Sequence, residues 1–148
     1  MMLNCDLGES YGAWTMPVDE QIMVHIDMAN IACGFHAGDP NVMDRGVKQS
    51  IKNGVSIGAH PGFNDLWGFG RRQIHMSTNE IEASVAYQIG ALQAISATNK
   101  AIVTHVKPHG ALNNMSSLDP AIATAIARGV NLVDPKLILV AVSGSFLF

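Results

Sequence analysis

Short apolar runs alternate along this chain with longer segments in which apolar residues recur every three or four positions. The short runs predict five strands, at Met1–Asp6, Met28–Cys33, Val55–Ala59, Ile102–Val106 and Leu137–Val142. The periodic segments predict four helices, at Pro17–Ile26, Pro40–Asn53, Thr78–Ala97 and Ala121–Val130. Strands that are apolar throughout are typical of a parallel sheet buried on both faces by helical crossovers. The fold class is therefore α/β, and a (β/α) barrel and an open doubly wound sheet both fit the pattern.

Polar residues at the predicted helix ends support these boundaries. Asp39-Pro40 and Asp119-Pro120 each place an N-cap aspartate before a proline at the first helical position. The segment Ser77–Glu80 reads as a capping box, with serine at the cap and glutamate three residues later. Gly54 is suited to end the second helix in a left-handed conformation.

The pattern stops after the fifth strand, because no helical segment follows Ser143-Gly144-Ser145. We expect residues 1–148 to form a single barrel-type domain that is an incomplete N-terminal portion of a longer fold. An unclosed parallel sheet would leave an exposed edge, so self-association into a homo-oligomer is a further expectation.

Composition excludes several classes of protein. The chain has 148 residues, of which 48% are hydrophobic and 14% charged, and its formal net charge is −3 without any block of like charge. This composition argues against disorder and against a nucleic-acid partner. A membrane helix needs about 20 apolar residues, and no apolar run here is nearly that long. No signal peptide is visible either. We therefore expect a cytoplasmic protein without membrane association. Cys5 and Cys33 form no CxxC pair and are interpreted as free, buried thiols.

Chemically capable side chains follow the predicted strand ends. They are Asp6, Glu9, His36, His60, Lys107 and His109. Because the carboxyl ends of parallel strands meet at one edge of a sheet, these residues should share a pocket. Two chemistries remain open: metal-assisted hydrolysis with aspartate and histidine ligands, and metal-free acid–base catalysis in which Lys107 stabilises an oxyanion. The chain has no HExxH motif, and the metal ligands, if any, are not identified.

The other histidines and one loop have separate interpretations. His105 lies within the fourth strand and should share a face with Lys107, while His25 and His75 are predicted to be surface or structural residues. The loop Gly68–Arg72 offers glycine amides and two guanidinium groups that suit an anion. It does not match the P-loop pattern, and a solvated basic turn explains it equally well.

At these residues the chain closely resembles the LamB/YcsF family, the A subunits of 5-oxoprolinase. The matching segments are Asn4–Glu9, Ala29–Pro40, Ile57–Phe63, Gly68–Arg72, Tyr87–Leu92 and Val106–Leu112. The resemblance implies a (β/α) barrel-like fold similar to polysaccharide deacetylases. It also implies ATP-dependent hydrolysis of 5-oxoproline to glutamate together with two further subunits, with ATP bound here or by one of those partners. Such an activity is compatible with a divalent metal.

The resemblance carries site residues over to this chain. The catalytic set it implies is the six residues at the strand ends, and the substrate- or phosphate-binding set is Asn30, Gly70, Arg71 and Arg72. Our hypothesis is that Asp6 or His60 activates water while Lys107 with His109 polarises the ring carbonyl. This chain has Asn113 where the family usually has tyrosine, and it is shorter than the family. Two alternatives are a metal-dependent deacetylase or hydrolase on a related barrel, and an inactive, truncated remnant that only binds partners.

Overall fold

A five-stranded parallel sheet forms the centre of the computed structural model, which describes residues 1–16 and 19–148. The strands are β1 (Asn4–Leu7), β2 (Met28–Ala32), β3 (Ser56–His60), β4 (Val103–Val106) and β5 (Ile138–Leu139). Each strand pairs in parallel with the next along the chain, so their order in the sheet is the order in the sequence.

Helices occupy the connections between these strands. They are α1 (Asp19–Ile22), which continues as a 3₁₀ turn at Met23–His25, then α2 (Pro40–Asn53), α3 (Thr78–Thr98), α4 (Gly110–Ser116) and α5 (Pro120–Val133). The long helix α3 packs against both α2 and α5. Among the described residues, no helix is both long and apolar enough to cross a bilayer.

The strand order decides between the two architectures that the sequence allowed. In a doubly wound sheet the strand order reverses, which places helices on both faces. Here the order runs in one direction from β1 to β5, and right-handed crossovers then place the connections on one face, as in a barrel. The fold is therefore α/β with a barrel-like parallel sheet, as predicted. That residues 1–148 are a single, truncated domain stays a prediction.

The predicted helix ends are confirmed. Asp39 accepts hydrogen bonds from the amides of Asn41 and Val42, and Asp119 caps α5 in the same way. Ser77 and Glu80 form the capping box of α3. Gly54 ends α2 with φ +68°, a conformation that side chains other than glycine rarely adopt.

Several predicted boundaries are wrong. Strand β1 begins at Asn4 instead of Met1, because the exposed side chains of the first three residues have nothing to pack against. Strand β5 has two residues instead of six, since it pairs on one side only within the described chain. The predicted helix Pro17–Ile26 is split into α1 and the 3₁₀ turn, and its residues 17 and 18 lie outside the described residues. Helix α4 was not predicted, because its glycine and asparagines are weak helix formers.

The two faces of the sheet differ in chemistry. The face under the helices is apolar, and its buried residues include Leu7, Ala29, Ile31, Ile57, Ala59 and Val106. Residues at the alternate positions point to the opposite face. That face carries Asn4, Asp6, Asn30, Gly58, His60 and His105. Polar groups therefore lie together on the concave side, which is where a barrel places its interior.

Candidate active site

On the polar face of the sheet, which we call the inner face, four residues form a row across strands β1 to β4. Asp6, Asn30, Gly58 and His105 are aligned by the parallel register of the sheet. The imidazole of His105 lies directly over Gly58, where the Cβ of any other residue would overlap it. Gly58 therefore leaves the space in which His105 reaches across the sheet towards Asn30.

A buried amide network supports the carboxylate of Asp6. The Asn30 side-chain amide donates to Asp6 Oδ1 at 2.7 Å and to Asn4 Oδ1 at 2.6 Å. Its own carbonyl oxygen accepts from Asn4 at 2.8 Å and from His105 Nε2 at 3.1 Å. Burial lowers the pKa of His105 to about 4, so this ring is neutral at pH 7 and serves as a donor.

Asp6 also forms an ion pair with Lys107. Lys107 Nζ lies 2.7 Å from Asp6 Oδ1, and His60 Nε2 lies 3.5 Å from Asp6 Oδ2. Burial by itself would raise the pKa of Asp6, but the interactions with His60 and Lys107 outweigh it and hold the pKa well below its usual range. Both side chains of the pair remain about one third exposed. Asp6 is thus a permanently ionised group at the open side of the site.

Next to this pair, Glu9 and three histidines form a cluster. The ligand-capable atoms of Glu9, His36, His60 and His109 all lie within 4.8 Å of one another. His60 Nε2 and His109 Nδ1 are 3.0 Å apart, and Glu9 Oε1 lies 3.9 Å from the first and 3.5 Å from the second. The three imidazoles are buried, while Glu9 keeps 12% of its side chain exposed.

Backbone carbonyls orient two of these rings. His60 Nδ1 lies 2.6 Å from the carbonyl oxygen of Lys107, and His109 Nε2 lies 2.7 Å from that of Phe69. A carbonyl oxygen only accepts hydrogen bonds, so each of these ring nitrogens carries the proton. In the neutral rings, His60 Nε2 and His109 Nδ1 therefore present lone pairs to the centre of the cluster.

His36 is the fourth member of the cluster and contacts both His109 and Glu9. Its ring stacks on that of His109 with centroids 3.7 Å apart and an interplanar angle of 6°, and its Nε2 lies 3.0 Å from Glu9 Oε1. Burial, with a contribution from His60, lowers the pKa of His36 to about 3. Burial, together with His36 and His60, lowers the pKa of His109 to about 4. Both rings are therefore neutral at pH 7, and His36 Nε2 donates its proton to Glu9.

Burial has the largest effect on the pKa of Glu9. Burial raises the pKa of its carboxyl, and His60 and His109 only partly oppose this effect. Within the described residues no lysine or arginine forms an ion pair with Glu9, because Lys107 is paired with Asp6 instead. The cluster therefore combines a half-buried carboxyl group with imidazole lone pairs.

The loop that follows β3 covers the histidines. Gly70 (φ +64°) lies against His36 and His109, where a Cβ would come within 2.7 Å of the His36 Cβ and 2.8 Å of the His109 ring. Buried Gln88 on α3 anchors the start of the loop, since its side-chain amide bonds both the N–H and the carbonyl of Gly62. Gly70 thus has a packing role, and its amide already donates to the carbonyl of Asp65.

The two arginines of this loop are placed differently. Arg72 forms a forked ion pair with the buried carboxylate of Asp65. The Arg71 guanidinium lies 5.7 Å from the ring centroid of Phe69, and its side chain is exposed. Within the part of the chain that the structure describes, Arg72 is bound to a carboxylate and Arg71 is not. The prediction that this loop binds substrate or phosphate stays a prediction.

The structure brings together all six residues that were predicted as catalytic, with Asn30 beneath them. Asp6 and His60 belong to the strands themselves and do not follow them, contrary to the prediction. His25 and His75 are exposed, as predicted. Both cysteines are free; Cys33 is buried, whereas Cys5 is only partly so.

Sequence reasoning missed three supporting residues, namely Asn4, Asp65 and Gln88, and it placed His105 on the face of Lys107 without giving it a role. Asn4 could have been found from its two-residue spacing from Asp6, which places the pair on one face of a strand. Asp65 and Gln88 carry no comparable signal, because their partners are brought to them by the loop that follows β3.

Comparisons with known proteins agree with this geometry. The family model described as "LamB/YcsF family" matches residues 1–148. The chain is 55% identical over 143 residues to a protein of Natranaerobius thermophilus that is named as the A subunit of 5-oxoprolinase, covering 97% of this chain and 56% of that protein. It is 57% identical over 145 residues to the protein of the same name from Staphylococcus carnosus, covering 98% and 58%.

A solved structure has the same fold. The lactam utilization protein from Thermus thermophilus superimposes with a TM-score of 0.97 at 46% sequence identity. The match covers 99% of this chain and 60% of that protein. The chain therefore spans less than two thirds of the length of these relatives.

Proposed function

The chain belongs to the LamB/YcsF family, and on that premise we propose that it supplies active-site residues of a 5-oxoprolinase. The reaction is the ATP-dependent opening of the 5-oxoproline ring to give glutamate. The observation that carries the proposal is the meeting of the Asp6–Lys107 pair with the buried cluster of Glu9, His60 and His109. Relatives named as A subunits of 5-oxoprolinase support the choice of substrate.

The chemistry of a lactam explains why ATP is needed. A lactam is a stable amide, and phosphorylation of its oxygen makes the ring carbon electrophilic. One water then adds to that carbon, the ring C–N bond breaks and the nitrogen takes up a proton. A second water releases the phosphate and leaves glutamate. Since the sequence contains no P-loop, we place the phosphorylation and the bound ATP on one of two partner subunits, and the ring opening here.

The geometry suggests how the roles divide. Asp6 Oδ2 is the carboxylate oxygen that neither Lys107 nor Asn30 occupies, and it lies at the open side of the site. It is therefore suited to accept a hydrogen bond from the attacking water and to orient it, while its low pKa makes it a poor acceptor of the proton itself. The Lys107 ammonium beside it is suited to neutralise negative charge on the phosphorylated ring oxygen.

The structure alters one role from the sequence hypothesis. We expected His109 to polarise the ring carbonyl together with Lys107. The N–H of the neutral His109 ring is already donated to the carbonyl of Phe69. No N–H of this ring is left to bind substrate, so we now assign the contact with the phosphorylated ring oxygen to Lys107 alone.

A reconstitution assay tests this proposal. The 148-residue chain is combined with the other two subunits of a 5-oxoprolinase, ATP and 5-oxoproline, and glutamate and ADP are measured. The Staphylococcus carnosus relative serves as the positive control in place of this chain. Glutamate formation that requires all three components is the expected result. Its absence, when the positive control turns over, would contradict the proposal and favour a remnant that only binds partners.

The histidine cluster also favours a second candidate function, a metal-dependent hydrolase on the same scaffold. Imidazoles and a carboxylate are usual ligands of a catalytic zinc ion, and the cluster contains both. This candidate predicts hydrolysis of an amide without ATP or partner subunits. The same assay, run with the chain alone and added Zn²⁺, separates the two functions.

A further inference from the structure

Three electron-rich atoms converge in the histidine cluster. They are His60 Nε2, His109 Nδ1 and Glu9 Oε1. The protons of both rings are directed away from this point, to the backbone carbonyls of Lys107 and Phe69. Two lone pairs 3.0 Å apart, facing a carboxylate, repel one another unless a cation or a proton lies between them.

The spacing of the three atoms fits a metal ion. Separations of 3.0, 3.5 and 3.9 Å leave a point about 2.0 Å from all three, which is the usual Zn–N and Zn–O distance. We propose that Glu9, His60 and His109 bind one divalent transition-metal ion of the zinc class. Two imidazoles and a carboxylate form the ligand set of several catalytic zinc sites, and they leave a fourth position open.

The surroundings of the three ligands have the form of an outer coordination shell. A histidine that binds a metal almost always donates its other ring N–H to a carbonyl or carboxylate, and both rings do so here. His36 donates to the Glu9 oxygen and so orients it, which makes His36 a positioning residue and not a fourth ligand. Gly70 allows the loop backbone to approach close enough to fix His109.

The three proposed ligands lie next to the Asp6–Lys107 ion pair. Asp6 Oδ2 lies 3.5 Å from His60 Nε2, and its side chain is partly exposed. The carboxylate of Asp6 therefore lies beside one of the three ligand atoms. This inference goes beyond the proposed function and does not depend on it, because metal binding is measured on the chain alone and without 5-oxoproline.

Cobalt titration of the metal-stripped 148-residue chain tests the proposal. Co²⁺ in a site of low coordination number gives visible absorption bands, and Zn²⁺ is colourless and should displace it. We expect one Co²⁺ per chain, loss of the bands on adding one equivalent of Zn²⁺, and a higher melting temperature with Zn²⁺. Absence of the bands from the folded chain, with no shift in melting temperature, would overturn the proposal in favour of a shared proton.

Matched variants locate the ion. Glu9→Gln and His109→Gln keep much of the side-chain volume and should weaken Co²⁺ binding by more than about 100-fold, whereas loss of the orienting group in His36→Gln should cost about 10- to 100-fold. His25→Gln and His75→Gln each replace an exposed histidine outside the site, so both should bind as the wild type does. Circular dichroism confirms folding of each variant. Equal binding by folded Glu9→Gln and wild type would overturn the proposal.

Discussion

Asn30 and Ile31 are neighbours on β2, and both are completely buried, but they serve opposite faces of the sheet. The Ile31 side chain lies on the outer face, which the helices cover, and Gly46 of α2 packs against it. Asn30 points to the inner face and holds Asn4, Asp6 and His105 through hydrogen bonds. One residue contributes apolar burial and the other organises polar groups.

This difference shows how a parallel sheet separates stability from chemistry. Burial of apolar area on the outer face is non-directional and contributes most of the folding free energy. Hydrogen bonds on the inner face contribute little net stability, but leaving one of their partners unsatisfied is costly. The outer face should therefore respond to changes in volume, and the inner face to changes in hydrogen-bonding groups.

The largest expected effect on stability comes from the outer face. Ile31→Ala removes buried methyl groups and leaves a cavity under α2, which should lower the free energy of unfolding by about 2–5 kcal/mol. Ile31→Val is the matched control and should cost about 0.5–1.5 kcal/mol. Urea denaturation of the two variants measures both values. A cost below that of the valine control would show that α2 does not pack on this face.

A smaller effect is expected at the adjacent inner position. Asn30→Ala leaves Asp6 and His105 each without one hydrogen-bond partner and should lower the free energy of unfolding by about 1–3 kcal/mol. Asn114→Ala, at an exposed position of α4, is the control and should change stability by less than about 0.5 kcal/mol. If Asn30→Ala is as mild as the control in the same denaturation series, the inner network does not contribute to the fold.

The smallest effect concerns the loop over the inner face and depends on pH. The Arg72 guanidinium, with the backbone amide of Gly68, lowers the pKa of Asp65 to about 2, from an unfolded value near 4. A carboxyl with a lowered pKa stabilises the folded state above its unfolded pKa, and this contribution is lost as pH falls from about 4 to about 2. Between these pH values the free energy of unfolding should fall less steeply in Asp65→Asn than in the wild type, as measured by urea denaturation at each pH. Parallel plots of this free energy against pH would contradict a stabilising role of the Asp65–Arg72 ion pair.

Much of this fold was predictable from the sequence, because its signals are local. The Asp-Pro helix starts and the capping box at Ser77 depend on residues within one turn and were confirmed. The length of β5 depends on whether a sixth strand pairs with it, which no local pattern records. Helix α4 forms because His109 and Gly110 lie against the loop at Gly70, and this is a tertiary contact.

The site was predictable as a set of residues but not as an arrangement. Chain order and strand ends were enough to bring Asp6, Lys107 and His60 together. The tautomers of His60 and His109 depend on the carbonyls of Lys107 and Phe69, and the pairing of Arg72 depends on Asp65. Residue types alone cannot show which nitrogen faces a pocket or which arginine is already bound.

Turnover by Asp6→Asn in the reconstituted three-subunit assay tests most directly whether the inner face performs the chemistry. Asparagine keeps the shape of the side chain but removes the negative charge that orients the water and pairs with Lys107. We expect a chain that remains folded by circular dichroism and forms glutamate at least about 100-fold more slowly, while Ile31→Val keeps the wild-type rate. A folded Asp6→Asn variant with the full rate of the wild type would contradict the assignment of the active site to this face.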